Sequence, residues 1–232
     1  MSKKVIALLP MKANSTRVPG KNFKNFCGKP LFKWILDSLL AVEEIDQVII
    51  NTDAKEILIA NGLEETERVV IRQRKANICG DEVSMNVVLA DDVKSVDADI
   101  YLMTHTTNPL LSSDTIRQAL TQYMQELEQG TADSLFTVNK IQTRFYTENC
   151  LPINHDPNNL IPTQNLEPWF EENSNLYLFN RKSFLSTNAR IGSKPAMMVS
   201  PPMECSDIDT PDDWEQAVVM THYMLEKGLV KA

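Results

Sequence analysis

The sequence predicts an α/β fold with a mostly parallel central sheet and helices on both faces, and two features predict it. Short β-branched apolar runs such as "KKVIALLP" read as strands buried on both faces, because helices covering each side leave no solvent face to keep polar. These runs alternate with segments whose apolar residues recur at helical spacing, the rhythm of parallel strands joined by crossover helices. A chain of 232 residues that is 43% apolar can bury one large core, so residues 1–232 are expected to form a single domain.

The first strand, Lys3 to Pro10, would sit centrally. "PLFKWILDSLLAV" follows as a helix from Pro30 to Val42, with proline near its start and Leu31, Ile35, Leu39 and Val42 on one face. "QVIINTD" then reads as a strand, "AKEILIAN" as a short helix and "RVVIR" as a third strand. "SMNVVLADDVKSV" reads as a helix capped by Ser84, and "DIYLMT" as the strand after it. Ser113 to Gln129 is a helix behind a serine cap with Gly130 as its stop, and "SLFTVN" is the next strand. Across 140–173 the rhythm breaks, with four prolines in "TENCLPINHDPNNLIPTQNLEPWFEEN", so this stretch is expected to be an irregular insertion. "NLYLFN" and "AMMVS" restore strand character. "TPDDWEQAVVMTHYMLEKG" closes the chain as a helix with Thr210 as cap, Pro211 at its first position and Gly228 as its stop.

Charge and cysteine usage narrow the function. Lys and Arg number 23 against 31 Asp and Glu, a formal net charge of -8, which argues against nucleic acid or an anionic membrane as partner. The four cysteines are far apart, with no C-x-x-C and no histidine at metal-ligand spacing. Reduced thiols, no signal-like start and no run of transmembrane length lead us to expect a cytoplasmic protein.

Against that acidic background, Lys12, Arg17 and Lys21, followed by Lys24 and Lys29, crowd the loop after the first strand. Ligands of open α/β sheets bind beyond the C-terminal strand ends, so these cations can converge on a polyphosphate, with Asn14 and Ser15 as neutral donors. The alternative is an ordinary solvated loop. Neither G-x-x-x-x-G-K-[ST] nor G-x-G-x-x-G is present. In "ECSDIDTPDDW", Asp207 and Asp209 flank Ile208, and on extended backbone they face the same side, close enough to share a hard cation such as Mg²⁺. Alternatively, Asp209 only supports the N-terminus of the last helix. "RKANICGDEVSMN" places Arg74, Gly80, Asp81 and Ser84 on the ligand side, where the plainer reading is a glycine turn and a cap. "MTHTTNPLL" puts His105, Thr106, Thr107 and Asn108 at the sheet edge, although a lone histidine is more often structural than catalytic. No G-x-S-x-G elbow or cysteine–base pair supports nucleophilic catalysis.

Together these segments resemble the acylneuraminate cytidylyltransferases, which make CMP-activated nine-carbon acidic sugars. "LLPMKANSTRVPGKN" is similar to their N-terminal signature I-P-A-R-x-x-S-K-x-[IL]-P-x-K-N, and "FCGKPL" to the L-x-G-K-P-L that follows. "RKANICGD", "THTTNPL", "ENSNLYLF" and "SDIDTPDDW" look like four further family stretches, in family order. The resemblance implies a Rossmann-like nucleotide-sugar-transferase fold that takes CTP and an acidic sugar. It implies a nucleotide site of Pro10, Met11, Lys12, Asn22, Arg74 and Ser84, and catalysis by Lys12, Arg17, Lys21, Asp207 and Asp209 with Mg²⁺ on Asp207 and Asp209. His105, Thr107, Gln164 and Asn173 would hold the sugar, and residues 140–173 would reach a neighbour in a homodimer. Three positions depart from the pattern. Thr16 replaces the first-loop lysine, with Arg17 beside it as a substitute cation; His105 replaces a glutamine; Thr163 stands where many members carry an arginine. These departures point to a sugar other than N-acetylneuraminate, such as a legionaminate or pseudaminate. Two alternatives are another acceptor, 3-deoxyoctulosonate or a sugar phosphate, and a nucleotide-binding protein of the same fold without turnover.

Overall fold

The computed structural model describes residues 3–230. In chain order, β1 (Val5–Leu8) leads through a long loop to a small hairpin of β2 (Asn25–Phe26) and β3 (Lys29–Pro30), then α1 (Leu31–Leu40), β4 (Gln47–Thr52), α2 (Lys55–Ala60) and β5 (Val69–Gln73). Then come α3 (Met85–Ser95), β6 (Ile100–Thr104), α4 (Ser113–Gln129), β7 (Ser134–Ile141), β8 (Trp169–Phe179), α5 (Arg181–Thr187), β9 (Pro195–Val199) and α6 (Pro211–Glu226). Seven of these strands form one sheet in the order β5-β4-β1-β6-β8-β7-β9. Every neighbouring pair is parallel except those of β8, which runs against both β6 and β7.

The expected mostly parallel sheet with helices on both faces is present. On one face, Val5, Ala7 and Leu9 join Phe32, Ile35 and Leu39 of α1 and Ile116, Leu120 and Tyr123 of α4. On the other, Ile6 and Leu8 pack with Leu89 and Val93 of α3 and Phe184 of α5. This two-sided burial explains the unbroken apolar run, and each such side chain contributes roughly 1.5–3 kcal/mol. Ser84, Ser112 and Thr210 cap α3, α4 and α6 as their spacing predicts, and Gly130 takes the left-handed conformation at the end of α4. Among the described residues no helix is long and apolar enough to cross a membrane.

Three features differ from the sequence reading. The β2/β3 hairpin turns through Cys27 and Gly28, both at positive φ. The short helix α5 was not anticipated; a capping box of Asn180 and Ser183 starts it. Both ends of the segment expected to be irregular are strand, since Asn139, Lys140 and Ile141 pair with Glu171, Phe170 and Trp169, leaving 142–168 irregular. Residues Trp169 to Glu172 are exposed, so the alternation that betrays a half-buried strand is missing there.

Candidate active site

The chain steps outward from β1 to β4 and β5, then returns to place β6 on the other side of β1. Where the direction of winding reverses, the loops after β1 and β6 diverge and leave a crevice beyond the C-terminal strand ends. A cleft of about 220 Å³ lies there, and Pro10, Met11, Lys12, Arg17, Lys21, Asn22, Arg74, His105, Thr107 and Asp209 all line it.

The basic loop is tied to the sheet at both ends. Met11 donates its N–H to Asn51 O at 3.1 Å, and Ala13 donates to the Asp53 carboxylate at 2.7 Å. At the far end Gly20, at φ 62, admits the turn into a 3-10 helix of Lys21–Phe23. Lys21 is 7% exposed, and its ammonium donates to Ile208 O and to Asp209 Oδ1 at 3.3 Å. Arg17 reaches Asp209 Oδ2 at 3.0 Å, and Lys12 reaches Asp81 Oδ1 at 2.8 Å. The three cations therefore converge, each held by a carboxylate. Asn22 donates to Lys12 O at 2.8 Å and accepts from Thr106 at 2.6 Å, joining the loops after β1 and β6.

Arg74 is 5% exposed and positions the cleft rather than reaching across it. Its guanidinium donates to Asn51 Oδ1 at 3.0 Å, Asn51 O at 2.7 Å and Met11 O at 3.1 Å. Asn51 in turn donates to Asp92 at 2.8 Å, and Arg72 pairs with the same carboxylate. Burial pushes the Asp92 carboxyl up to about 6, against the opposing pull of Asn51 and Arg72. Ser84 spends its hydroxyl on the α3 cap, accepting from Asn86 N at 3.3 Å, and is not among the residues lining either cleft.

A second cleft, of about 340 Å³, lies beside the first and is lined by Glu171, Glu172, Asn173, Ser174, Asp207 and Asp213 among others. A bulge in β8 builds its floor: Phe136 faces Tyr177 and Val138 faces Glu172, so one residue of β7 opposes four of β8. Thr137 bridges the gap with hydrogen bonds to Asn173 Oδ1 at 2.8 Å and Leu176 O at 3.3 Å. Asn173 donates to Asn139 at 3.0 Å and Ser200 at 3.1 Å, which fixes its amide at the cleft wall.

The ridge between the clefts is the segment from Ser206 to Asp209. Ile208 donates its N–H to Thr107 O at 2.9 Å, and its side chain is fully buried with Phe26, Trp34 and Trp214. The segment is not a strand, and with Ile208 turned into the core Asp207 lines the second cleft and Asp209 the first, rather than both facing one side as extended backbone would place them. Helix support belongs to Asp213, whose carboxylate accepts from the N–H groups of Asp209 at 3.1 Å and Thr210 at 2.7 Å. Asp209 is thereby left to the cations. Asp207 Oδ1 is buried without a hydrogen-bond partner, and burial, with Asp209 nearby, raises its carboxyl above the usual range against the pull of Thr107.

His105 lines the first cleft, with Nε2 3.5 Å from Arg190. Burial and the Arg190 charge lower its imidazole to about 3, so it is neutral at pH 7. Gln164 and Thr163 lie on a 3-10 helix of Thr163–Asn165 within 142–168 and are not among the residues lining either cleft. Sequence reasoning missed Asn51, Asp92, Glu172 and Arg190. For Asn51 the signal was a polar residue closing an apolar strand; Arg190 lies in an unpatterned loop and offered none.

The chain is 26% identical over 224 residues to CMP-N,N'-diacetyllegionaminic acid synthase of Legionella pneumophila, covering 91% of this chain and 93% of that protein. It is 23% identical over 224 residues to pseudaminic acid cytidylyltransferase of Campylobacter jejuni, covering 94% and 96%. Its fold matches the structure of CMP:2-keto-3-deoxy-manno-octonic acid synthetase complexed with CTP at a TM-score of 0.66, with 16% identity over 95% of this chain and 99% of that one. The sequence model of the cytidylyltransferase family matches residues 6–223, which takes in both clefts and the ridge between them, and the chain belongs to that family.

Proposed function

We propose that this enzyme transfers CMP from CTP to the anomeric hydroxyl of an acidic nonulosonate sugar and releases pyrophosphate. The observation that carries the reading is the ridge, which sets one carboxylate in each of two adjoining clefts, one lined by cations and the other by neutral and acidic oxygens. The legionaminic and pseudaminic acid enzymes named above match this chain over nearly its whole length, which supports a nonulosonate as acceptor.

In the proposed reaction Lys12, Arg17 and Lys21 bind the triphosphate and balance its charge, and Arg74, Asn51 and Asn22 keep the loop that carries them in register. Thr107 fixes the ridge through Ile208, so that the acceptor in the second cleft and the α-phosphorus in the first meet across it. The residues fit a magnesium ion. Asp207 Oδ1 is buried without a partner, and the donors are hard oxygens. With Asp207 and Asp209 as its protein ligands, the ion would leave its other positions to phosphate and water, as suits Mg²⁺. When bound there, Mg²⁺ would neutralise phosphate charge and lower the pKa of the sugar hydroxyl.

We further propose a homodimer and a cytoplasmic location. Tyr146, Leu151, Ile153 and Leu160 of the irregular segment are 50–62% exposed, an apolar surface suited to a second copy. The test is pyrophosphate release with Mg²⁺, each nucleoside triphosphate in turn, and a panel of nonulosonates, octulosonates and sugar phosphates. Release with CTP and a nonulosonate is expected; release with another triphosphate, or only with an octulosonate or sugar phosphate, would overturn the reading.

A further inference from the structure

Arg190 lies in the loop between α5 and β9, outside every motif of the sequence, and though it is not itself among the residues lining either cleft, it contacts one lining residue of each. Its guanidinium is 3.5 Å from His105 Nε2, which lines the first, and 3.2 Å from Glu172 Oε1, which lines the second. It lies over the ring of Tyr177, its central carbon 3.8 Å from the ring centroid, and Tyr177 is itself fully buried and bonded to Glu172. The main chain of Arg190 is fixed too, donating to Asn86 at 3.3 Å. The guanidinium is thus a preorganised fork, and its contacts with His105 and Glu172 leave further N–H donors unused. Carboxylates line the second cleft at Glu171, Glu172, Asp207 and Asp213, so an acidic ligand needs a cation beside them, and Arg190 supplies one.

We propose that Arg190 is a specificity-determining residue that reads the acceptor sugar, donating from its guanidinium to a sugar oxygen, either the carboxylate or the carbonyl oxygen of an acylamino substituent. The assignment rests on the proposed transfer to an acidic sugar. His105, neutral beside it, adds no competing positive charge to the contact.

The experiment measures sugar binding by calorimetry and the KM values for sugar and CTP, in wild type, Arg190→Lys and Arg190→Met. Loss of a charge-assisted bond predicts sugar binding and KM weaker by about tenfold or more in Arg190→Met, with KM for CTP within about twofold as the control on folding. Arg190→Lys, which keeps the charge without the fork, should recover part of the loss. Running the series with an acylated nonulosonate and with one carrying hydroxyls instead separates the two sources. A penalty common to both sugars assigns the carboxylate, and one confined to the acylated sugar assigns the carbonyl. Unchanged sugar affinity in Arg190→Met, or equal losses for CTP and sugar, would overturn the proposal. Sugar binding that depends on Arg190 without turnover would sink the transfer reading alone, turnover indifferent to Arg190 would sink this one alone, and neither binding nor turnover would sink both.

Discussion

Replacing Asp207 with asparagine separates what this carboxylate does for catalysis from what it costs the fold. Its Oδ1 is buried without a partner, and burial is the main reason its carboxyl is raised. For an acid, a folded pKa above the unfolded one means that stability is fully present below the unfolded value and is lost as pH rises through the folded one. The carboxyl, once ionised, therefore destabilises the fold. An unsatisfied buried group costs about 1–3 kcal/mol, and because Asp207 keeps some solvent contact and asparagine is still polar, the relief expected is about 1 kcal/mol. For a chain of this size that raises Tm by about 2–4 °C. Turnover should fall at least a thousandfold, about 4 kcal/mol of transition-state stabilisation, because one of two carboxylates available to Mg²⁺ is gone. Thermal unfolding at pH 7 and pyrophosphate release at saturating CTP measure the two effects. Turnover within tenfold of wild type would refute the metal-binding role, and a Tm several degrees lower would refute the claim that the charge is buried at a cost.

Three other variants test separate parts of the site. Arg17 is 62% exposed and its bond to Asp209 adds little to stability, so Arg17→Ala should leave Tm unchanged while raising KM for CTP by about tenfold; an unchanged KM would show that Arg17 does not replace the cation lost at Thr16. His105, lowered to about 3, stays neutral in the fold while the unfolded chain binds a proton below about pH 6.5, so stability falls as pH drops from there toward 3. Discounted for partial exposure, His105→Gln should lose about 1–2 kcal/mol less than wild type between pH 7 and 4.5 in urea unfolding, and parallel losses would contradict a neutral buried imidazole. A Cβ at Gly192 would sit 2.3 Å from Asp133 Oδ1, whose carboxylate accepts from Ser193 N at 2.9 Å and Lys194 N at 3.0 Å. Gly192→Ala should destabilise by about 1–3 kcal/mol and weaken sugar binding through the Arg190 loop, and an unaltered Tm would refute the close packing.

What was legible in the sequence is what depends on neighbours along the chain. β1 announces itself because both its faces are covered, and α3, α4 and α6 because their caps lie next to them. The alternation of Asp207 and Asp209 around Ile208 is a local pattern, but that the two carboxylates line different clefts was not legible in it. Long-range pairings were not legible either. Arg74 meets Asn51 across 23 positions, Asn51 meets Asp92 across 41, and Arg190 meets His105 across 85, and no spacing rule connects them. The outer halves of β7 and β8 were missed for another reason, since strand residues wet on both faces carry no burial signature. Ser84 shows the opposite limit: the cap was readable, and once its hydroxyl serves the cap it is not among the residues lining the cleft.

The site also explains how an acidic chain keeps three cations together. Like charges at this range repel, and a loop carrying only Lys12, Arg17 and Lys21 would splay into solvent. Asp209 prevents this by standing between Arg17 and Lys21, while Asp81 holds Lys12 from the opposite wall. A triphosphate bound as proposed would meet cations already gathered and take over the neutralising role of these carboxylates, so less ordering entropy would oppose its binding. Such an exchange would leave Asp209 without its two cationic partners and near Asp207, the condition in which a pair of carboxylates attracts a divalent cation most strongly. Nucleotide and metal would therefore favour each other's binding through one side chain. The buried Ile208 would make this possible, because its anchorage in the core holds Asp209 at the first cleft and Asp207 at the second.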